Sequence, residues 1–261
     1  MKKYIILSVI IVAIGLIISG CGKKQKPMDL YDMVLDRGKI VVGVKEDAKP
    51  FGFLNSNEEY EGFDIDLAKQ IAKEIFGDEN AIEFVPVNAS NRIMLLNSGQ
   101  ADMIIATMTI TSQRAAVVDF SVPYYYTGQT LLLNKKSSIS TLTDNNLKKV
   151  GVIFGSTAEK MVRMAIPQCM ITGYKTYTDA VTALKENEID AIATDEAILF
   201  GITMDDKSLK IINAPKYSKE PYGIAFRKGE ETKRLRTIID KIITDMNDDG
   251  RLNSMKRKWL K

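Results

Sequence analysis

The chain has 261 residues, 45% of them hydrophobic, with 36 basic against 33 acidic residues and a formal net charge of +3, which lacks the strong basic excess of a nucleic-acid binder. It contains no histidine, and this removes Ser-His-Asp and Cys-His hydrolase arrangements, HExxH metalloprotease sites and histidine-containing zinc sites together. Neither a Walker A loop nor a GxGxxG string occurs, so no metal or other cofactor is expected, although carboxylate-pair chemistry survives the filter.

Lys2 and Lys3 precede the apolar stretch Ile5 to Ile18, which gives way to Ser19-Gly20-Cys21 and lysine-rich sequence. That charge order, with an apolar core short of the ~20 residues that span a bilayer, predicts an export signal over residues 1–20. Ile18-Ser19-Gly20-Cys21 resembles the lipobox of bacterial lipoproteins, which implies cleavage before Cys21 and a diacylglyceryl group on its sulfur. Residues 21–28, with Lys23, Lys24 and Lys26 ahead of Pro27, then form a lipidated tether beside the membrane, on its extracytoplasmic face. With Cys21 acylated, Cys169 has no intramolecular partner, and a disulfide framework is excluded.

Beyond the tether, apolar residues at helical spacing over Asp29 to Arg37 stop at Gly38, and Ile40 to Val44 follows as a strand. Lys45 opens a charged loop interrupted by Pro50, and Phe53-Leu54 and Tyr60 bracket a polar hairpin turn. Gly62-Phe63-Asp64-Ile65-Asp66-Leu67-Ala68 leads into a helix with Leu67, Ile71 and Ile75 on one face. Asp64 and Asp66 are expected to cap that helix and offset its dipole. Ile82 to Val87 is the next strand, and Asn88 to Arg92 opens a short helix. Asp102 introduces the buried strand Met103-Ile104-Ile105.

That strand feeds Ala106-Thr107-Met108-Thr109-Ile110-Thr111-Ser112-Gln113-Arg114. Thr111 is a good N-cap, and Arg114 falls in the first turn of the helix that follows. A guanidinium there opposes the helix dipole, yet with free N–H groups and threonine hydroxyls it makes a cradle for a carboxylate. After Tyr124 to Gly128 a second α/β series begins, and it echoes the first. Ala183 to Asp195 repeats the order of Leu95 to Thr107: apolar helix end, polar turn, aspartate, apolar strand, threonine. Gly155-Ser156-Thr157-Ala158, between a strand and a helix, either binds an anion or simply caps. Alternating strands and helices imply sheets whose ligands sit at the strand carboxyl ends, so Thr194 and Asp195 are expected to oppose Thr107 and Arg114 across a cleft.

Five strings in order resemble the polar amino-acid substrate-binding proteins of bacterial ABC transporters: Gly62 to Ala68, Thr109 to Arg114, Val118 to Tyr125, Glu220-Pro221-Tyr222-Gly223-Ile224-Ala225-Phe226 and Lys258-Trp259-Leu260. The resemblance implies a two-lobed α/β fold of the type II periplasmic-binding-protein kind, each lobe a mixed sheet flanked by helices. Residues 29–123 and 223–261 would form lobe 1 and 129–217 lobe 2, joined by hinges at 124–128 and 218–222. It implies a monomeric, non-catalytic receptor that hands an amino acid to a membrane permease. In the family the arginine matching Arg114 grips the ligand α-carboxylate, helped by positions matching Thr107, Thr109, Ser156 and Thr157, while the acid matching Asp195 takes the α-ammonium; Ala106 and Tyr222 complete the expected ligand-binding set. Many members sandwich the side chain between aromatics at positions that here are Ala48 and Ala89. Lys45 and Arg92 instead match residues that meet a side-chain carboxylate. Three cations and one acid in such a pocket favour aspartate or glutamate over the alternatives, glutamine and cysteine or cystine. Cyclohexadienyl dehydratases also resemble this fold, and an enzyme of that kind would use Asp195 or Glu196 as acid or base.

Overall fold

The structure, a computed structural model, describes residues 28–260; the expected export signal, the Cys21 anchor and nearly all of the tether lie outside the described residues. Two five-stranded sheets carry the fold. The first half of the chain supplies α1 (Leu30–Arg37), β1 (Ile40–Val44), β2 (Asp47–Ala48), β3 (Gly52–Leu54), β4 (Tyr60–Glu61), α2 (Phe63–Phe76), β5 (Ile82–Pro86), α3 (Arg92–Asn97), β6 (Met103–Ile104), α4 (Ser112–Ala115), β7 (Val118–Phe120) and β8 (Tyr125–Thr127). The second supplies β9 (Gln129–Asn134), β10 (Lys149–Ile153), α5 (Ala158–Ala165), β11 (Met170–Tyr174), α6 (Tyr177–Lys185), β12 (Ala191–Asp195), α7 (Glu196–Asp205), β13 (Leu209–Ile211), β14 (Glu220–Tyr222), β15 (Ala225–Arg227), α8 (Lys233–Asp248) and α9 (Arg251–Trp259).

Lobe 1 has the order β5-β1-β6-β15-β7 and lobe 2 the order β11-β10-β12-β9-β13. Each sheet begins with three parallel strands and continues with two that pair antiparallel. The internal echo in the sequence is this shared plan, because β6 and β12 are the third strand of the two sheets. The echoed aspartates do the same work. Asp102 accepts the Val41 N–H at 2.7 Å and meets Arg37, while Asp190 accepts the N–H groups of Lys148 and Lys149 at 2.8 and 2.7 Å. Each carboxylate thus ties the turn before the third strand to the start of the strand beside it.

β8 and β14 pair antiparallel and form a two-stranded ribbon that carries the chain between the sheets. β12 and β9 are buried along nearly their whole length, in keeping with the near-continuous apolar runs of Ala191 to Ala193 and Leu131 to Leu133. One apolar core runs from α1 and β1 through α2 and Tyr124 into α6 and α7, and two smaller ones fill the remaining sheet faces.

Neither aspartate of the Gly62 to Ala68 string caps its own helix by a side-chain bond. Gly62 occupies the N-cap of α2, with no side-chain cap. Asp66 instead accepts Trp259 Nε1 and Lys258 Nζ, both at 2.7 Å, which docks the end of α9 on α2. Asp64 turns inward, to the site.

Candidate functional site

The carboxyl ends of three lobe 1 strands deliver the first half of the site. Lys45 follows β1, Ala89 and Arg92 follow β5, and Thr107, Thr109 and Arg114 follow β6; with lobe 2 residues they line one cavity. From lobe 2 come Gln129 at the start of β9, Ser156 and Thr157 after β10, Tyr177 opening α6, and Thr194 and Asp195 at the end of β12. A wider groove, lined in part by Ala89, Arg114 and Ser156, leads from the cavity to solvent.

Arg114 begins as the sequence predicts, with Thr111 Oγ1 accepting its N–H at 3.2 Å. Its guanidinium then reaches two carbonyls, Thr109 O within its own lobe and Gly155 O across the cleft, each at 2.9 Å. Two such bonds leave the rest of its five N–H donors for something else in the cavity. Arg92 spends Nη1 on Ala106 O at 2.7 Å. Ala106 therefore stands behind the wall and not in it.

Asp195 accepts the Tyr222 hydroxyl on Oδ2, so Tyr222 also supports the site from outside the cavity. Thr157 heads α5 without a side-chain cap; its hydroxyl accepts from Gln129 Nε2 at 2.6 Å and donates to Glu220 Oε2 at 3.1 Å. Ser156 Oγ accepts Ala158 N–H at 3.3 Å. Tyr177 lays its ring over the Lys45 ammonium, 5.2 Å from Nζ, and its hydroxyl pairs with Thr194 Oγ1 at 3.0 Å.

Among the described residues, four buried side-chain polar atoms have no hydrogen-bond partner: Arg92 Nε, Thr107 Oγ1, Gln129 Oε1 and Asp195 Oδ1. All four belong to residues lining this one cavity. Buried polar groups are otherwise paired almost without exception, and leaving one unpaired costs about 1–3 kcal/mol. Three acceptors and one donor, converging with Arg114 and Lys45, describe a complement to a small ligand with both an ammonium and anionic or carbonyl oxygens.

The charge count here differs from the one expected. Lys45, Arg92 and Arg114 are matched by Asp195 and by two further buried carboxylates, Asp64 and Glu220. Asp64 is wholly buried, accepting Thr107 N–H at 2.9 Å and the Tyr124 hydroxyl at 3.0 Å. Burial pushes the carboxyls of Asp64 and Asp195 up to about 6 against the hydrogen bonds that favour their charged forms. It also brings the Lys45 ammonium down to about 8, with Arg92 adding to the effect. Of the residues expected from the sequence, Lys45, Arg92, Thr107, Thr109, Arg114, Ser156, Thr157 and Asp195 meet at the cavity, and Ala106 and Tyr222 hold members of that group. Gln129, Tyr177 and Glu220 were not expected to take part; no spacing or motif marks Gln129 or Tyr177, whereas Glu220 opens the Glu220 to Phe226 string, where it was read as part of a hinge.

Residues 40–261 match the family model of the bacterial extracellular solute-binding proteins, family 3. The chain belongs to that family. It is 39% identical to the ABC transporter glutamine-binding protein of Bacillus subtilis (strain 168), over all of this chain and 98% of the relative. It is 43% identical to a glutamine-binding protein of Geobacillus stearothermophilus over 77% of each. Among solved structures, the cysteine-binding protein of Campylobacter jejuni superposes with a TM-score of 0.83 at 32% identity, covering 90% of this chain and 94% of that one. Family 3 proteins of this kind are amino-acid-binding components of ABC transporters, and the two-lobed type II fold expected from the sequence is the one observed.

The raised carboxyl of Asp195 makes a signed prediction. Its folded value, about 6 against 3.8, means that the folded chain takes up a proton between those values before the unfolded chain does. Stability from this group therefore grows as pH falls from 7 to 5. In urea unfolding without ligand, the wild type should gain on Asp195→Asn over that interval by at most about 1.4 kcal/mol, the equivalent of one pKa unit, and by less the more the empty lobes part and hydrate the carboxylate. A constant difference between the two proteins at pH 7 and pH 5 would show that the buried carboxylate bears no such cost.

Proposed function

We propose that this family 3 chain receives L-glutamine in the interlobe cavity and passes it to the transmembrane permease of an ABC importer, without catalysing a reaction. The observation that carries the reading is the set of four unpaired buried atoms around a cavity whose ionised groups already balance, Lys45, Arg92 and Arg114 against Asp64, Asp195 and Glu220. A neutral zwitterion supplies an ammonium for Asp195 Oδ1 and Gln129 Oε1 and a carboxylate for Arg114, with Thr107, Thr109, Ser156 and Thr157 beside it. Its side-chain amide oxygen then takes Lys45 and Arg92 Nε–H. An aspartate or glutamate side chain would add a buried negative charge without a spare cation, and desolvating it is costly. The expectation of an acidic ligand rested on three cations and a single acid, and Asp64 and Glu220 remove that excess. The two relatives named as glutamine-binding support the same choice.

Closure of the lobes about the β8–β14 ribbon accompanies binding in this reading. The lobes touch away from the ligand, where Lys49 Nζ meets Asp205 at 2.7 Å, Asp47 Oδ2 accepts Tyr177 N–H at 3.0 Å, and Gly201 of α7 packs on the Lys49 carbonyl. The lipobox-like Ile18-Ser19-Gly20-Cys21 supports an anchor at Cys21 on the extracytoplasmic face of the membrane, where a monomeric receptor meets its permease.

Calorimetry on refolded, ligand-free protein should rank glutamine above glutamate, aspartate, cystine, arginine and histidine. Arg114→Ala should weaken it by about 2–5 kcal/mol, as for one partner of a buried charge pair. Tighter binding of glutamate or aspartate than of glutamine would overturn the ligand assignment, and turnover of an aromatic acid would replace the receptor with an enzyme.

A Cβ at Gly201 would stand 2.2 Å from the Lys49 carbonyl oxygen, whereas alanine is better than glycine within a helix by about 1 kcal/mol. Gly201→Ala should therefore keep or raise the stability of the empty protein while lowering affinity about tenfold, and X-ray scattering should show less compaction on ligand addition than for wild type. Unchanged affinity would exclude this contact from the closed state.

Cys21→Ser should leave the chain unprocessed or release it from membranes, read by fractionation and mass spectrometry of the mature N-terminus. A mature N-terminus at any residue other than Cys21 would disprove the anchor.

A further inference from the structure

Among the described residues, three that are not glycine have positive φ, and Thr107, at +46°, is the β-branched one. That region is costly for a branched side chain, so something must hold the backbone there. Thr107 follows the short strand β6, and the peptide unit that joins it to Ala106 is gripped at both ends by opposite charges. Arg92 Nη1 donates to the Ala106 carbonyl at 2.7 Å, and Asp64 Oδ2 accepts the Thr107 N–H at 2.9 Å. Both side chains are buried, and Asp64 is itself steadied by the Tyr124 hydroxyl on Oδ1. Asp64 does not line the cavity, but Thr107 does, and its hydroxyl is one of the four atoms left without a partner.

We infer that Asp64 and Arg92 are positioning residues that clamp the Ala106–Thr107 peptide and so keep the Thr107 hydroxyl turned to the ligand. Asp64 comes from the first turn of α2 and Arg92 from the first turn of α3, so two helices together set one hydroxyl. A carboxylate on an N–H and a guanidinium on a carbonyl are charge-assisted hydrogen bonds, stronger than neutral ones, and the two polarise the same amide in the same sense. The clamp explains why Asp64 abandons the capping position its sequence context favours. It also gives Arg92 a task on the protein through Nη1 while Nε remains free toward the cavity.

The consequence for binding rests on the glutamine reading, and a double-mutant cycle separates the two. Asp64→Asn keeps the shape and one acceptor, Thr107→Gly adopts positive φ without help, and the double variant combines them. Full-length proteins are compared by urea unfolding without ligand and by calorimetry with glutamine. Asp64→Asn should lower affinity about tenfold or more in the wild-type background and leave it nearly unchanged in the Thr107→Gly background. Its effect on the urea midpoint should shrink in the same way, because the strain it contains has gone. An equal fold-loss of affinity in both backgrounds would mean that Asp64 acts through the field it exerts on Lys45 and Arg92, and the clamp would be refuted. Should wild type bind none of the amino acids, the ligand reading fails and the unfolding arm decides: coupled midpoints sustain the clamp, additive midpoints end it.

Discussion

Six buried ionisable groups, four lining one cavity and two, Asp64 and Glu220, behind its wall, set the terms for the rest of this molecule. A buried charge survives only when hydrogen bonds and an opposite charge replace its water, and here each has been given part of what it needs. Arg114 has two carbonyls, Arg92 one carbonyl, Asp64 an amide and a phenol, Asp195 a phenol, and Glu220 a threonine hydroxyl. Lys45 has only the face of Tyr177. Provision is therefore deliberately short by a few bonds, all on the inner surface. In the proposed function a ligand makes good that deficit, which places affinity and closure under one cause, since the unpaired atoms are buried in the arrangement described here.

The fold produces this density of charge by an economical route. Parallel strands end together, and the loops that follow them converge; two sheets of the same plan set face to face double the number of converging loops. Asp102 and Asp190 fasten equivalent turns in each lobe, which holds the strand ends at fixed heights. The ribbon of β8 and β14 brings Glu220 and Tyr222 to the same place from the third direction. Because the ribbon is made of paired strands and is not loose chain, it transmits lobe position to the Tyr222–Asp195 contact.

Much of this was legible before the structure. The alternation of strands and helices, the strand-end position of Lys45, Arg92 and Arg114, and the repeated turn before Thr107 and Asp195 follow from period, charge and chain order. What stayed hidden has a common physical character. Asp64 and Asp66 sit where a helix cap would, and local sequence cannot tell a carboxylate that serves its own helix from one that serves an amide about forty residues on or a tryptophan at the far end of the chain. Gln129, Tyr177 and Glu220 occupy unremarkable positions in a strand, a helix start and a ribbon. Their partners, Thr157 for Gln129 and Glu220 and both Thr194 and Lys45 for Tyr177, lie far along the chain, where local spacing carries no information. The omission matters to the charge count, because Asp64 and Glu220 add two buried carboxylates to the three cations and one acid expected from the sequence.

The balance is also divided unevenly between the parts that move in the proposed closure. Lobe 1 contributes Lys45, Arg92 and Arg114 with Asp64, an excess of two positive charges; Asp195 stands on lobe 2 and Glu220 on the ribbon. With the lobes apart, each surface is charged and hydrated. Bringing them together without a ligand joins opposite charges but strips their water, and the two effects nearly cancel for buried pairs. In the proposed binding mode a zwitterion alters that balance because its own dipole runs the right way, carboxylate toward Arg114 on lobe 1 and ammonium toward Asp195 on lobe 2. It replaces lost water at both surfaces at once and adds no net charge to the interior. An uncharged solute of equal size would fill the cavity yet leave the ions unsolvated, and a simple anion would satisfy lobe 1 while repelling Asp195. In the proposed mode, recognition of the amino-acid backbone is therefore a property of how charge is shared between the lobes, and the side-chain choice is a smaller correction made at the Lys45 end.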